Sequence, residues 1–254
     1  MHRFFLPVDW FDGEVVHFRK EVAHQIVHVL RLEAGQRVIA LDNRGCEYDV
    51  TLYRVDGQVV MGNITAKRLV SGEPAAHLAL YLGLAQREKF EWMLQKCTEV
   101  GACTFTPVVT RRSLVQDVDG VKKKYERWER ILREAAEQSG RGVIPELHPA
   151  LYYKEAVLEA SRTSALILLP WEEEHFTNLT QALHRTDLTT INKPRIACFI
   201  GPEGGFDAEE AEFARSSGAV PVTLGPRILR METAAVVVTT LILHELEKDN
   251  GKQA

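Results

Sequence analysis

Two stretches near the carboxyl end carry residue types suited to holding a ligand: IGPEGGF at residues 200–206 and LGPRILRMETA at residues 224–234. Each follows an apolar run and precedes a helical pattern. In an open α/β sheet that is where strand ends expose backbone amides to a ligand. A phosphate cradle is the first chemistry such glycine turns suggest, because helix N-termini offer amides and a positive dipole end. The residues argue against it. Neither GxxxxGKS/T nor GxGxxG is present, Pro202 and Pro226 each delete an amide, and Glu203 places a carboxylate in the loop. Either loop alone reads as a tight turn. Together they read as two walls around a flat, neutral or cationic group, with Leu224, Ile228 and Leu229 as apolar contacts. Glu203 either touches that ligand or only shapes its turn.

Metal and redox chemistry find little support. His24 and His28 form an i, i+4 pair with His17 nearby, but no third ligand completes the frame, so the imidazoles read as surface or RNA-facing groups. Cys46, Cys97, Cys103 and Cys198 contain no CxxC pair. Neither a signal-type leader nor a run of about 20 apolar residues is present, so a reduced, soluble, cytoplasmic protein without a membrane span is expected.

The net charge of -4 argues against a globally basic nucleic-acid coat, yet the charge is uneven. Residues 86–148 hold 12 Lys/Arg against 10 Asp/Glu, whereas residues 149–254 hold 10 against 15. Lys122, Lys123 and Lys124 form the densest basic run at a helix start, where the dipole gains nothing from them; they suit RNA contact or a solvated helix face equally. The acidic run Glu172, Glu173 and Glu174 suits a solvated loop or a contact to a ribose or amino group.

The elements that must position these residues follow from periodicity. Residues 1–72 offer a short helix, EVAHQIVHVLRL, with Val22, Ile26, Val29 and Leu30 on one face. Strand patterns follow in RVIALDN, CEYDVTLYRV and QVVMGNITAKRL, the signature of a small, partly open β-barrel. SGEPAAH at residues 71–77 has linker composition, and the domain boundary is placed there, giving domains 1–72 and 73–254. Beyond it, apolar runs of four to seven residues alternate with helical stretches, which predicts a mostly parallel sheet covered by helices on both faces. KFEWMLQKCTEVG is one such helix, with Gly101 as its terminating glycine. The last helix, METAAVVVTTLILHELEK, is apolar nearly all round, so it is expected either at the centre of the core or with its second face on another copy of the chain.

The stretches VLRLEAGQRVIALDNRG, KFEWMLQKCTEVGA, REAAEQSGRGVIPEL, IGPEGGF and LGPRILRMETA, in that order along the chain, resemble the ribosomal RNA small subunit methyltransferase E family of the SPOUT superfamily over nearly the whole chain. That resemblance implies a PUA-like, RNA-binding N-terminal barrel and an α/β domain with a trefoil knot, which periodicity alone does not give because threaded connections are so rare. It also implies a homodimer that uses S-adenosylmethionine to methylate N3 of one uridine in 16S ribosomal RNA of the small subunit. Carried over position by position, the cofactor contacts are Leu169, Pro170, Gly201, Glu203, Gly204, Leu224, Gly225, Ile228 and Leu229.

Methyl transfer to uridine N3 needs positioning, stabilisation of charge on the flanking carbonyl oxygens, and a proton acceptor. Arg141 and Arg230 are candidates for orienting the base, and Glu232 or Glu137 for taking the proton; for each the alternative is a salt bridge or a cap. Arg111 and Arg112, in TRRS at a strand end, are candidates for RNA phosphate contact from the dimer partner.

Overall fold

The computed structural model describes residues 1–57, 59–186, 188 and 190–250, without the side chains of residues 249 and 250. It separates into two compact units. One is Met1–Glu73 with Arg133–Ile144, and the other is Pro74–Leu132 with the chain from Pro145 onward.

The first unit is a six-stranded sheet. Its strands are β1 (Arg3–Phe5), β2 (Phe11–Asp12), β3 (Val15–Phe18), β4 (Arg37–Leu41), β5 (Cys46–Asp56) and β6 (Val59–Leu69), in the order β1-β4-β5-β6-β3-β2. β1 runs parallel to β4 and the other pairs are antiparallel. Side-chain alternation puts Val50 and Leu52 into a core with Phe4, Val16, Phe18, Val38 and Val60, while Tyr53 faces solvent. The path ends at β1 and β2, which do not pair with each other among the described residues, so the expected barrel is not closed here.

The short helix α1 (Lys20–His24) lies between β3 and β4 and continues as a π-helical turn, Gln25–Val29. Leu30 N–H reaches back five residues to Gln25 O at 2.8 Å, which widens the turn. As a result Ala23 and Ile26 are buried and Val29 swings out to 65% exposure, against the regular helical face expected for it. Residues 133–144 join this unit through Ala136, which packs with Phe5, Ile39 and Leu41. A single cut in the sequence does not anticipate that return of the chain.

The second unit contains β7 (His77–Gly83), α2 (Arg87–Val100), β8 (Thr104–Val109), the first part of α3 (Tyr125–Ser139), β9 (Glu146–Leu147), β10 (Leu151–Tyr152), α4 (Tyr153–Thr163), β11 (Leu166–Pro170), α5 (Leu179–Arg185), β12 (Arg195–Ile200), α6 (Ala208–Ser216), β13 (Val220–Val222) and α7 (Met231–Asn250). The sheet order is β10-β8-β7-β12-β11-β13, with β9 also on β8, and every pairing is parallel. Such a sheet has no wet face, which is why β7 is mostly apolar after His77 and Leu78 to Leu82 are at most 1% exposed. Burying each of its leucines is worth roughly 2 kcal/mol relative to exposure.

On one face Tyr81, Ile167, Leu169 and Phe199 meet α4 and α6 through Tyr153, Val157, Ala211 and Ala214. On the other, α7 packs against α2, α5 and β12. Gly101 ends α2 at φ +125°, and its N–H and that of Ala102 both return to Cys97 O. A methyl group on Gly101 would lie 2.8 Å from Leu243 of α7. Along α7, Ala235, Val238, Thr239 and Ile242 are fully buried, whereas Leu241 is 44% exposed. Within one chain α7 is therefore a half-covered helix and not a central one.

Candidate functional site

The loops after β12 and β13, with the start of the loop after β11, enclose a cavity of about 810 Å³ at the carboxyl ends of these strands. This is the size range of small-molecule sites. Pro202 to Gly205 form a turn closed by Gly205 N–H to Pro202 O at 2.9 Å, with Gly205 at φ +68°. The turn lies hard against the end of β7. A Cβ on Gly83 would sit 2.5 Å from Pro202 N and 2.9 Å from Gly201 C. Asp207 then caps α6, and Glu210 returns the bond to Asp207 N–H. Burial acts to raise the Asp207 carboxyl, but the Glu210 N–H and the Arg111 guanidinium outweigh it and hold the group below its usual value.

Of the residues expected at the cofactor, Pro170, Gly201, Glu203, Gly204, Leu224, Gly225, Ile228 and Leu229 all line the cavity. Leu169 does not. Its side chain is fully buried in the core beside Ile167 and Phe199, one residue short of the rim. Glu203 proves to be occupied: its Oε1 accepts Gln86 N–H and Lys89 Nζ, each at 3.3 Å, tying the loop to the first turn of α2. Lys89 was not anticipated, although a lysine in the first turn of a helix opposes the dipole and is itself a signal of a nearby anion. Trp171, His175 and Arg227 also line the cavity without having been foreseen.

Arg230 and Glu232 line the same cavity. Glu232 Oε2 is buried with no hydrogen-bond partner, and so is Trp171 Nε1. An unpaired buried carboxylate oxygen is costly, and it calls for a donor or a cation. The cavity walls carry Lys89, Arg227 and Arg230 against Glu172, Glu203 and Glu232, so a polyphosphate has no basic cradle here.

Arg141 and Glu137 lie elsewhere, in the first unit. The Arg141 guanidinium is 3% exposed and forks onto Glu73, which also accepts Gly142 and Val143 N–H. Glu137 Oε1 accepts Phe5 N–H at 3.0 Å, and burial raises its carboxyl above the usual value despite that bond. Within the chain both side chains hold partners in their own unit, Arg141 on Glu73 and Glu137 on Phe5 N–H, and neither lines the cavity.

Arg111 donates to Asp207 and Glu209, and Arg112 Nη1 donates to Gly204 O at 2.7 Å. Lys122 pairs with Asp119 in a 3₁₀ turn (Asp119–Lys124) that precedes α3, where a regular helix start was expected. Of the acidic run, Glu172 lines the cavity, and Glu174 is held below its usual value chiefly by Thr177 N–H, fastening its own loop. The His24 and His28 rings lie 4.7 Å apart, and no group of three or more metal-ligating side chains occurs among the described residues. No helix among them is long and apolar enough to cross a membrane.

The family model for an RNA methyltransferase domain matches residues 72–243. The chain is 31% identical over 234 residues to ribosomal RNA small subunit methyltransferase E of Bacillus subtilis, covering 92% of this chain and 91% of the relative. It is 33% identical over 227 residues to the protein of that name from Synechocystis, covering 88% and 71%. Among solved structures, the Neisseria gonorrhoeae methyltransferase E bound to S-adenosyl methionine superposes with a TM-score of 0.84 at 26% identity, covering 95% and 96% of the two chains. A Legionella pneumophila methyltransferase with the same cofactor superposes at 0.81 and 30% identity, covering 94% and 96%. With a strand-end cavity walled by two glycine loops, a family model over residues 72–243 and the Bacillus subtilis relative matched over 91% of its length, this chain belongs to the ribosomal RNA small subunit methyltransferase E family.

Proposed function

We propose that this chain binds S-adenosylmethionine in the cavity between its two glycine loops and methylates N3 of a uridine in 16S ribosomal RNA, acting in the cytoplasm on the small subunit. The observation that carries the reading is the cavity itself, with the unpartnered Glu232 Oε2 in its wall. An acceptor without a donor, mixed wall charge and apolar Leu224, Ile228 and Leu229 fit a ligand with a flat base and a cationic centre better than a phosphate.

S-adenosylmethionine, when bound, supplies a methyl group on a sulfonium that leaves as a neutral thioether. The backbone of Gly201, Gly204 and Gly225 and the side chains of Leu224, Ile228 and Leu229 would hold it. Arg230 would lie beside the uracil carbonyl oxygens and stabilise the negative charge that grows there as N3 loses its proton. Glu232 Oε2 would take that proton. As N3 forms its bond to the methyl carbon, the proton resides on the carboxylate and charge balances.

The exposed stripe of α7, Leu241 at its centre, supports a homodimer in which a second copy covers this helix. Lys123 and Lys124 are the candidates for RNA phosphate, and the trefoil knot and the RNA-binding role of the first unit are part of the same reading. Incubation with methyl-labelled S-adenosylmethionine and small subunits from a strain lacking this activity tests it. Label at uridine N3 is expected. No label in 16S RNA sinks the enzyme reading in favour of a binding factor, and label on carbon or a ribose oxygen changes the reaction type.

A further inference from the structure

The TRRS turn that follows β8 is built too firmly for a free RNA-reading loop. Thr110 and Ser113 are 2% and 5% exposed, and their hydroxyls bond to each other at 3.0 Å. Ser113 N–H closes the turn on Thr110 O. The two arginines it presents both reach the segment from Gly204 to Glu210. Arg111 gives its backbone N–H to Glu210 Oε1 at 2.9 Å and its guanidinium to Asp207 at 3.0 Å and Glu209 at 2.6 Å. Arg112 gives Nη1 to Gly204 O at 2.7 Å, and its stem lies 3.1 Å from where a Gly204 Cβ would stand. On the other flank, Lys89 and Gln86 N–H hold Glu203. The glycine turn is thus fastened from both sides by charged hydrogen bonds, which are the stronger class.

We propose that Arg112, supported by Arg111, is a positioning residue for the IGPEGGF loop: it fixes the Gly204 peptide and thereby the wall of the cavity, and is not an RNA phosphate contact. This rests on the reading that S-adenosylmethionine occupies that cavity. The physical reason is that a four-residue glycine turn has many backbone states of its own, and a guanidinium on its carbonyl removes most of them before a ligand arrives. Lysine carries the charge and a donor but not the planar fork, so it should replace arginine only in part.

The test compares Arg112→Ala and Arg112→Lys with the native chain in three measurements. Amide exchange in the ligand-free protein should speed up at Gly205 in Arg112→Ala and return toward native in Arg112→Lys. Calorimetric affinity for S-adenosylmethionine should fall about tenfold in Arg112→Ala, the worth of one charged hydrogen bond, and less in Arg112→Lys. The salt dependence of 16S RNA affinity should not change. Native exchange and native cofactor affinity in Arg112→Ala overturn the proposal, as does a salt slope lowered by about one counterion. If the native chain itself fails to bind the cofactor, the functional reading fails, while exchange at Gly205 still decides whether Arg112 braces the loop. Should Arg112→Ala prove unfolded by circular dichroism, Arg112→Lys carries both measurements: native values in it together with unfolding of the alanine variant mark a general stability role and overturn the proposal.

Discussion

Replacing Gly83 by alanine probes the contact on which the cavity depends. The added methyl would lie 2.5 Å from Pro202 N and 2.8 Å from Pro202 Cδ, where ordinary contact begins at 3.4 Å. Neither neighbour is a flexible side-chain end, so the strand or the loop has to move. Overpacking of this kind costs about 1–3 kcal/mol. If the strain stays in the folded protein, Tm falls by about 2–12 °C, taking roughly 2–4 °C per kcal/mol for a domain of this size. If the loop yields instead, the same free energy appears as weaker S-adenosylmethionine binding, by about fivefold to 150-fold. Thermal melts with and without the cofactor, joined to a calorimetric titration, separate the two. Gly120→Ala is the control, because its methyl meets only Val115 Cγ1 at an ordinary 3.5 Å. A Gly83→Ala protein with native Tm and native affinity would refute the claim that strand end and loop are packed without slack.

Arg141→Ala breaks the buried pair with Glu73 and should cost about 3 kcal/mol, the low end for such pairs because Glu73 keeps two backbone donors. A denaturant melt checks this, and a variant with native stability but lost methylation would favour the catalytic role over the structural one. His77 Nε2 lies 2.9 Å from Arg195 Nη1, which can only donate, so the ring accepts as the neutral form. Burial, then Arg195 and Lys193, lower its pKa from 6.5. The depressed value means that stability is present in full above pH 6.5 and is lost as pH falls through the folded value; His77→Gln should flatten that slope in chemical denaturation, and an unchanged slope contradicts the assignment. Glu232→Gln and Arg230→Ala should each lower methyl transfer by about a hundredfold or more, and Arg230→Ala should nearly keep cofactor affinity, as expected for a group acting on the reacting base. Single-turnover rates at native level in both variants would remove them from the mechanism.

The loops were legible because proline, glycine and an N-capping aspartate specify local backbone whatever surrounds them. Their ordering after apolar runs also gave the parallel sheet, since a strand buried on both faces has to be apolar throughout. Residue chemistry alone excluded a phosphate cradle. What periodicity did not show was the turn of Val29 to solvent, because a π-turn is set by one hydrogen bond and leaves no mark in composition.

Partnership was decided only by the tertiary structure. Arg111, Arg112, Arg141 and Glu203 are the same charged residues in the sequence whether they meet RNA, ligand or one another. Folding brings Glu73 to Arg141 across 68 positions and Gly204 to Arg112 across 92, and so gives each arginine a partner that the sequence does not name. Glu232 is the reverse case, a partly buried side chain whose Oε2 folding covers and leaves unpaired. Local backbone rules are written along the chain, whereas the use of a charge depends on what arrives next to it in space.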